Sequence, residues 1–381
     1  MAKPKILIIE NSIDVTGALK SITRTAYDLK DYFDFHFIIP SNSKGRFWIE
    51  GKGFSAIEEL PMRELSKRIS SLLVYVPFII YNTFRLQRIV KSQNIKIIHV
   101  NDLYNLLPVM MKVAGSKVPY ICHIRFLPNH FPAWLFNFWL KLQLRYAKKV
   151  VAVSQSVLNM LPIHPKLVLI HNELPAEERY PQLSRPMDQS HRTFLYLSNF
   201  MTGKGQNYAL DAFEKIHDRL PQWRLRFVGG DMGLNKNKMY RNKLQLQAKA
   251  LGIDKKTEWH EFAKEVESEY KLADIILNFS ESESFSLTCL EALYFGRPLI
   301  ATDCGGPAEI IDDQVSGLLV KNKDVNAMAN AMLLLALEEE MSNKFSIEGI
   351  KRSREKFSIE KTSNRLRDVY HSIICNQEIL V

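Results

Sequence analysis

The chain reads as an α/β protein built from two doubly wound domains. Three observations predict this. Its 381 residues are two domains' worth at about 150 residues each. Strand-like runs alternate with helix-like stretches along the whole length. Several of those runs are continuously apolar, as parallel strands buried on both faces are.

In the first half the strand-like runs are "KILIIE", "FHFIIP", "IKIIHV", "YICHI", "KVVAVS" and "LVLIHN". In the second half they are "TFLYLS", "RLRFVGG", "TEWHEF", "ADIILNFS", "PLIATD" and "GLLV". Helical segments such as "QNYALDAFEKIHDRL" lie between them. The joint is expected within residues 172–192, which are rich in Pro, charge and polar side chains. The expected division is 1–180, then 181–360, with 361–381 as a terminal helix returning to the first domain. Ligands of such sheets bind beyond the carboxyl ends of the strands, so two facing sheets would form an interdomain cleft.

Composition is that of an ordinary folded protein, 46% hydrophobic and 24% charged. The N-terminus runs straight into a strand, so no signal peptide is expected. Cys122, Cys289, Cys304 and Cys375 have no metal spacing and read as mostly buried, reduced thiols of a cytosolic protein. No HExxH, CxxC, Walker or GxSxG pattern occurs, and no metal site is expected. A dinucleotide fingerprint is missing too. The best glycine run, "VGGDMG", opens no first-strand unit, and the first strand runs into "ENSIDVTGALKS" with the single glycine Gly17.

The net charge of +10 is unevenly placed. Residues 1–180 carry 24 Lys+Arg against 13 Asp+Glu, and residues 181–381 carry 27 against 28. Within residues 61–150 there are 14 basic residues and only two acidic ones, Glu64 and Asp102. Such a patch attracts nucleic acid, acidic substrates or an anionic membrane, or is simply a solvated basic face. The cations interleave with long apolar runs and no base-reading module is present, so nucleic acid is disfavoured. The run Leu72–Tyr81 contains Pro77 and is too short to span a bilayer. The stretch after Arg125 sets Phe131, Trp134, Phe136, Phe138 and Trp139 beside Lys141, Arg145, Lys148 and Lys149. Aromatics beside cations suit a membrane surface, although core helices over the first sheet would share the pattern.

The densest chemistry lies in "ESESFSLTCLEAL", Glu281 to Leu293. A strand ends just before it, Glu283 falls in the loop, and a helix begins near Ser286. The free N–H groups and dipole of that helix favour an anion such as a diphosphate. Thr288 adds a hydroxyl in the first turn. Glu291 sits about a turn inside, where a carboxylate can accept bonds from paired hydroxyls such as those of a ribose. An ordinary cap with a solvated glutamate would look the same locally. Asn199 and Lys204 lie just past another strand, and Lys204 beside Gly205 at a helix start suits a phosphate. A surface lysine is the bland alternative.

Taken together, "SESFSLTCLEALYFGRPLIATDCGGPAEII", the later "SGLLV" and the Lys204–Gly205 pair resemble the donor-binding half of the retaining glycosyltransferases of family 4, with the GT-B fold. "VSQSV", "LIHNELP" and the terminal "FSIEKTSNRLRDVYHSII" extend the likeness, which covers nearly all of the second half and, more weakly, the first. The resemblance implies roles. Glu283 would contact the donor sugar and Glu291 the nucleotide ribose. Backbone N–H groups at Phe285, Ser286, Leu287 and Thr288 would meet sugar and diphosphate. Lys204 would stabilise the leaving diphosphate, and Gly17 would leave room for sugar or phosphate. His123 in "YICHIRF" would face the donor sugar, although a lone histidine there is more often structural. Asn101 or Asp102 would touch acceptor.

The chain departs from the family at three places. Asn199 stands where an arginine is usual, leaving Lys204, or Arg125, to carry more of the diphosphate charge. Ser284 and Ser286 replace glycines around Phe285, and Gly17–Ala18 replaces a glycine pair. The reading implied is a retaining transferase moving a sugar from a UDP- or GDP-linked donor, without a cofactor, to a glycan or lipid-linked acceptor in cell-surface polysaccharide assembly. Its place would be the cytoplasm, at the anionic inner face of the membrane. Rival readings are a nucleotide-sugar epimerase or phosphorylase on the same scaffold, or a non-catalytic sugar-nucleotide-binding protein.

Overall fold

The computed structural model describes residues 2–62, 69–172, 174, 191–261 and 266–378. Side chains are described in all of these except 69–76 and 376–378. Almost all of the expected joint, and part of the Leu72–Tyr81 run, lie outside the described residues. The chain forms two compact units, residues 1–176 with 359–381, and residues 177–358.

The first unit holds seven strands: β1 (Lys5–Ile9), β2 (Asp34–Pro40), β3 (Ile57–Leu60), β4 (Ile95–Val100), β5 (Tyr120–Ile124), β6 (Lys149–Ala152) and β7 (Leu167–Leu169). They make one all-parallel sheet in the order β3-β2-β1-β4-β5-β6-β7. The order steps outward in both directions from the β1–β4 pair, which places the switch point of a doubly wound sheet there. Ile6, Ile8, Ile97, Ile121 and Val151 are all but fully buried, as strands covered on both faces require. β3 escapes the sequence reading because "IEEL" alternates around two glutamates and has no apolar run.

The terminal helix, Ile359–Glu378, packs on this unit. Leu366, Tyr370 and Ile373 repeat at i, i+4 and i+7 and are buried. The Tyr370 ring meets Phe33 edge to face at 5.3 Å. Each such buried side chain contributes about 1.5–3 kcal/mol, which ties the helix to the first sheet.

The second unit holds β8 (Arg192–Leu197), β9 (Trp223–Val228), β10 (Thr257–His260), β11 (Ile275–Asn278), β12 (Leu299–Thr302) and β13 (Leu318–Val320). These are also all parallel, in the order β10-β9-β8-β11-β12-β13. All six strands read from the sequence are present. The switch point lies between β8 and β11, so the loops after these two strands are where a ligand of this sheet would sit. Those loops carry Lys204 and Glu283. The expected helix from Gln206 stops at Glu214, because "KIHDRL" continues as turns.

Two of the four cysteines, Cys122 and Cys289, are buried, while Cys304 is half-buried and Cys375 exposed. Among the described residues no helix is long and apolar enough to cross a membrane. Among them, too, no three His, Cys, Asp or Glu side chains gather as a metal would need.

Candidate active site

In the second unit the loop after β8 turns through Gly203 and Gly205, at φ 88° and 78°. Gly205 caps the helix Gln206–Glu214. A Cβ there would lie 1.9 Å from the Phe279 carbonyl oxygen, so only glycine lets this loop lie against the end of β11. The buried Tyr196 hydroxyl ties the two together. It donates to the Lys204 carbonyl and accepts from the Phe279 N–H at 2.7 Å.

That contact sets the Lys204 side chain. Its Nζ donates to Glu283 Oε1 at 2.6 Å, and the Ser280 hydroxyl donates to the same oxygen at 2.9 Å. Burial works to lower the lysine pKa, but the Glu283 carboxylate outweighs it and holds the ammonium above its ordinary range. Lys204 is therefore charged at neutral pH. Of its three N–H donors, Glu283 engages one. Glu283 itself is fixed by its backbone, which bonds to the Cys304 carbonyl and the Gly306 N–H. Gly306 is obligatory for closeness, since a Cβ there would sit 2.2 Å from the Phe285 backbone.

Ser286 caps the helix Leu287–Tyr294, its hydroxyl accepting from the Cys289 N–H. Asn278 donates to the same hydroxyl at 2.9 Å. Ser286 takes φ 86°, in the region that glycine occupies without cost. The glycine-to-serine departure at this position thus keeps a left-handed backbone and carries strain, which its two hydrogen bonds offset. Ser284 does not share that conformation. The first-turn amides of Leu287 and Thr288 precede the first intrahelical bond, from Leu290 N–H to the Ser286 carbonyl. They are oriented for an anion.

Phe285 is buried against Phe357, with ring centroids 5.6 Å apart, and the role expected of it is a backbone one, which that burial leaves open. Two expectations need correction. The Thr288 hydroxyl donates to the Leu197 carbonyl at 3.3 Å, which commits its proton to the strand–helix contact. Asn199 uses its side-chain oxygen to accept from the Gly230 N–H at 3.3 Å, bracing the turn after β9. Glu291 lies within the helix, where the Tyr270 hydroxyl reaches Oε2 at 3.4 Å and the Thr288 carbonyl at 3.1 Å. Ser280, Tyr196 and Tyr270 were missed by sequence reasoning. Each is a single hydroxyl whose partner is remote in sequence, and no local pattern announces it.

In the first unit Gly17 opens the helix Gly17–Asp28 and is exposed, after the cap Thr16. The preceding loop is held by Glu10, which accepts from the backbone of Asn11 and Ser12. His123 sits at the end of β5 and is buried beside His99 and Arg125. The side chain of Asn101 is spent internally on Glu10, the Ala18 carbonyl and Arg125. Arg125 is likewise engaged, donating to Asn101, Ser21 and Asn172. Asn101 is thus not presented to an acceptor, and Arg125 does not stand as a spare cation for a diphosphate.

The aromatic–basic stretch divides by face. On the helix Ala133–Tyr146, Phe136, Trp139 and Leu140 are buried, with Trp139 against Phe131 at 5.2 Å. Trp134 and Phe138 are 71% and 51% exposed, and Lys141 and Arg145 continue the same outward stripe. The helix Ile69–Ser92 likewise turns Tyr81, Phe84, Arg85 and Arg88 outward. Lys149 belongs to β6 and donates to the Pro165 carbonyl at 3.1 Å.

Comparison with known proteins identifies the family of each unit. Residues 184–352 match the family model for glycosyl transferases group 1, and residues 55–172 match that for glycosyltransferase family 4. The two together take in about three quarters of the chain. The chain belongs to glycosyltransferase family 4. It is 35% identical over 122 residues to the D-inositol 3-phosphate glycosyltransferase of Saccharomonospora viridis, covering 32% of this chain and 28% of that one. It is 26% identical over 230 residues to the lipopolysaccharide 1,6-galactosyltransferase of Escherichia coli, covering 59% of this chain and 61% of that one. The chain spans 28%, 33% and 49% of the length of three D-inositol 3-phosphate glycosyltransferases that it matches. Among solved structures, Anabaena Alr3699/HepE in complex with UDP-glucose superposes with a TM-score of 0.81 at 17% identity, over 97% of this chain and 99% of that one. This member of the family thus has the GT-B fold, with two Rossmann-like units.

Proposed function

We propose that the protein is a retaining glycosyltransferase that moves a sugar from a nucleoside diphosphate to a hydroxyl of a glycan or lipid-linked acceptor. The observation that carries this is the arrangement at the β8/β11 switch point. A charged Lys204 is held at 2.6 Å from Glu283, beside the open N-terminus of the helix that contains Glu291. Two cationic elements at a site for a diphosphate, with one carboxylate at the helix mouth and another a turn inside, fit a nucleotide-sugar. The UDP-glucose bound by the Anabaena protein supports that donor class, and a UDP- or GDP-linked sugar is the expected substrate.

In the reaction the bond from the sugar C1 to the diphosphate oxygen breaks and one from C1 to the acceptor oxygen forms. The acceptor proton passes to the departing phosphate oxygen on the same face, which gives retention without a protein nucleophile. Charge grows on the diphosphate as it leaves. Lys204 and the amides of Leu287 and Thr288 are placed to meet that charge, and preorganised donors act most strongly there. Glu283 holds the sugar hydroxyls and, through its ion pair, the lysine. Glu291 holds the ribose.

The two carboxylates should separate experimentally. Glu283→Gln is expected to lower turnover while nucleoside diphosphate still binds. Glu291→Gln is expected to weaken that binding about tenfold, the loss of roughly one charge-assisted hydrogen bond. Calorimetric titration with UDP and GDP checks the split, and wild-type affinity in Glu291→Gln would remove its ribose role.

The outward stripe of Trp134, Phe138, Lys141 and Arg145 supports an anionic membrane surface as a second partner, and so a lipid-linked acceptor. Lys148 lies just beyond the helix and is also exposed. Each cation near such a surface contributes about 1 kcal/mol, screened beyond about 8 Å at physiological salt. Changing Lys141, Arg145 and Lys148 to Glu is expected to abolish sedimentation with phosphatidylserine vesicles and to leave turnover on a soluble acceptor intact. A folded variant that still binds those vesicles as wild type does would exclude this stripe as the membrane face.

A further inference from the structure

His123, on β5, faces His99 on the neighbouring strand β4, with Nδ1 of the former 2.7 Å from Nε2 of the latter. The other nitrogen of His99, Nδ1, lies 2.5 Å from the Tyr370 hydroxyl on the terminal helix. Arg125 brings its Nη2 to 3.2 Å from the same His123 Nδ1. A guanidinium only donates, so His123 Nδ1 must accept. His99 Nε2 must then carry the proton directed at it.

At neutral pH both rings are held neutral. Burial, and then the Arg125 charge, hold both imidazoles well below their ordinary range. A neutral His99 protonated on Nε2 leaves Nδ1 bare, and that atom accepts from the Tyr370 O–H. A neutral His123 with a bare Nδ1 has its single proton on Nε2. Among the described residues Nε2 has no partner, and His123 keeps 4% exposure.

We propose that Arg125, with His99 and Tyr370, positions His123 as a fixed Nε2–H donor, which binds an acceptor oxygen of the substrate and does not serve as a base. Arg125 decides the direction because Tyr370 can donate or accept, whereas the guanidinium cannot reverse. Its own place is fixed by Asn101, Ser21 and Asn172. Among the described residues, ionisable groups around the chain include Asp102 past β4 with Tyr104 bonded to it, Glu10 at the end of β1 and Cys122 on β5. Burial, and then the Glu10 charge, raise the Asp102 carboxyl well above its ordinary range. Burial, and then Asp102, raise the Cys122 thiol likewise. With both imidazoles held well below their ordinary range and Arg125 on Nδ1, the His123 donor is expected to persist at neutral pH, as suits a contact to a sugar or phosphate oxygen. That the oxygen belongs to a nucleotide-sugar rests on the function proposed above, but the tautomer does not.

The test is a long-range ¹H–¹⁵N correlation spectrum of the histidines in the full chain, recorded without substrate from about pH 6 to 8, where a free imidazole would titrate. The expected result is a protonated Nε2 and a bare Nδ1 on His123 throughout. A proton on Nδ1, or an imidazolium forming over that range, would overturn the proposal. In Arg125→Met the ring is expected to mix tautomers, and an unaltered Nε2–H signature there would remove Arg125 from the role. In His99→Gln, whose amide can still donate to Nδ1, the Nε2–H form is expected to persist. If either variant fails to fold, the wild-type spectrum alone decides. A protein inert towards nucleotide-sugars but showing the expected spectrum would overturn the proposed function and leave the tautomer standing.

Discussion

Lys204→Ala is expected to lower turnover about 10²- to 10³-fold with donor saturating, the cost of one preorganised donor to a developing anion. The proposed mechanism asks more of this side chain than of its neighbours around the diphosphate. Lys204 is charged, Asn199 has no positive charge to share the task, and Arg125 is engaged in the first unit. The loss should fall mainly on kcat, because the diphosphate charge grows only as the bond breaks. Part of it will come through Glu283, which loses its 2.6 Å partner and keeps the Ser280 hydroxyl. Steady-state kinetics on the purified variant checks this, and a kcat within twofold of wild type would remove Lys204 from the chemistry.

Gly205→Ala is expected to damage stability and activity together. The new methyl would lie 1.9 Å from a backbone oxygen, and the residue has φ 78°. A left-handed backbone costs a residue with a Cβ roughly 1–2 kcal/mol, and forcing apart well-packed groups about 1–3 kcal/mol more. For a unit of this size the sum lowers Tm by roughly 5–15 °C. It also displaces the Tyr196 bridge that sets the Lys204 carbonyl, so turnover should fall with it. Gly203→Ala is the control. Gly203 has φ 88°, but nothing lies within 4 Å of its added Cβ, so the backbone term alone applies. Differential scanning calorimetry of the two variants separates close approach from strain. Equal Tm values would show that the contact with Phe279 does not position the loop.

The strands were legible because parallel strands are apolar along their whole length. The one that escaped, β3, is a sheet edge with glutamates at Glu58 and Glu59. The loop Glu283 and the helical Glu291 were legible because a strand, an acidic loop and a capped helix follow within a few residues of one another. What the sequence could not reveal was the use of each side chain. Phe285 and Trp139 are apolar residues in apolar company, and only the fold decides whether such a ring packs inward. Asn101 and Arg125 carry polar groups at strand ends, which suggests a ligand. In the structure they satisfy one another instead, because buried polar groups must find partners. His99 drew no attention in "IKIIHV", although β4 and β5 are adjacent and both carry a histidine near the same end.

The central claim is transfer of a sugar from a nucleoside diphosphate with its anomeric configuration kept. The most direct measurement incubates the full chain with UDP- and GDP-sugars and a bacterial membrane lipid extract, following sugar C1 by NMR. The account predicts release of nucleoside diphosphate that depends on the extract, and a new glycoside with the anomeric configuration of the donor. An inverted anomer, or a donor epimerised with its diphosphate bond intact and no extract needed, would contradict it.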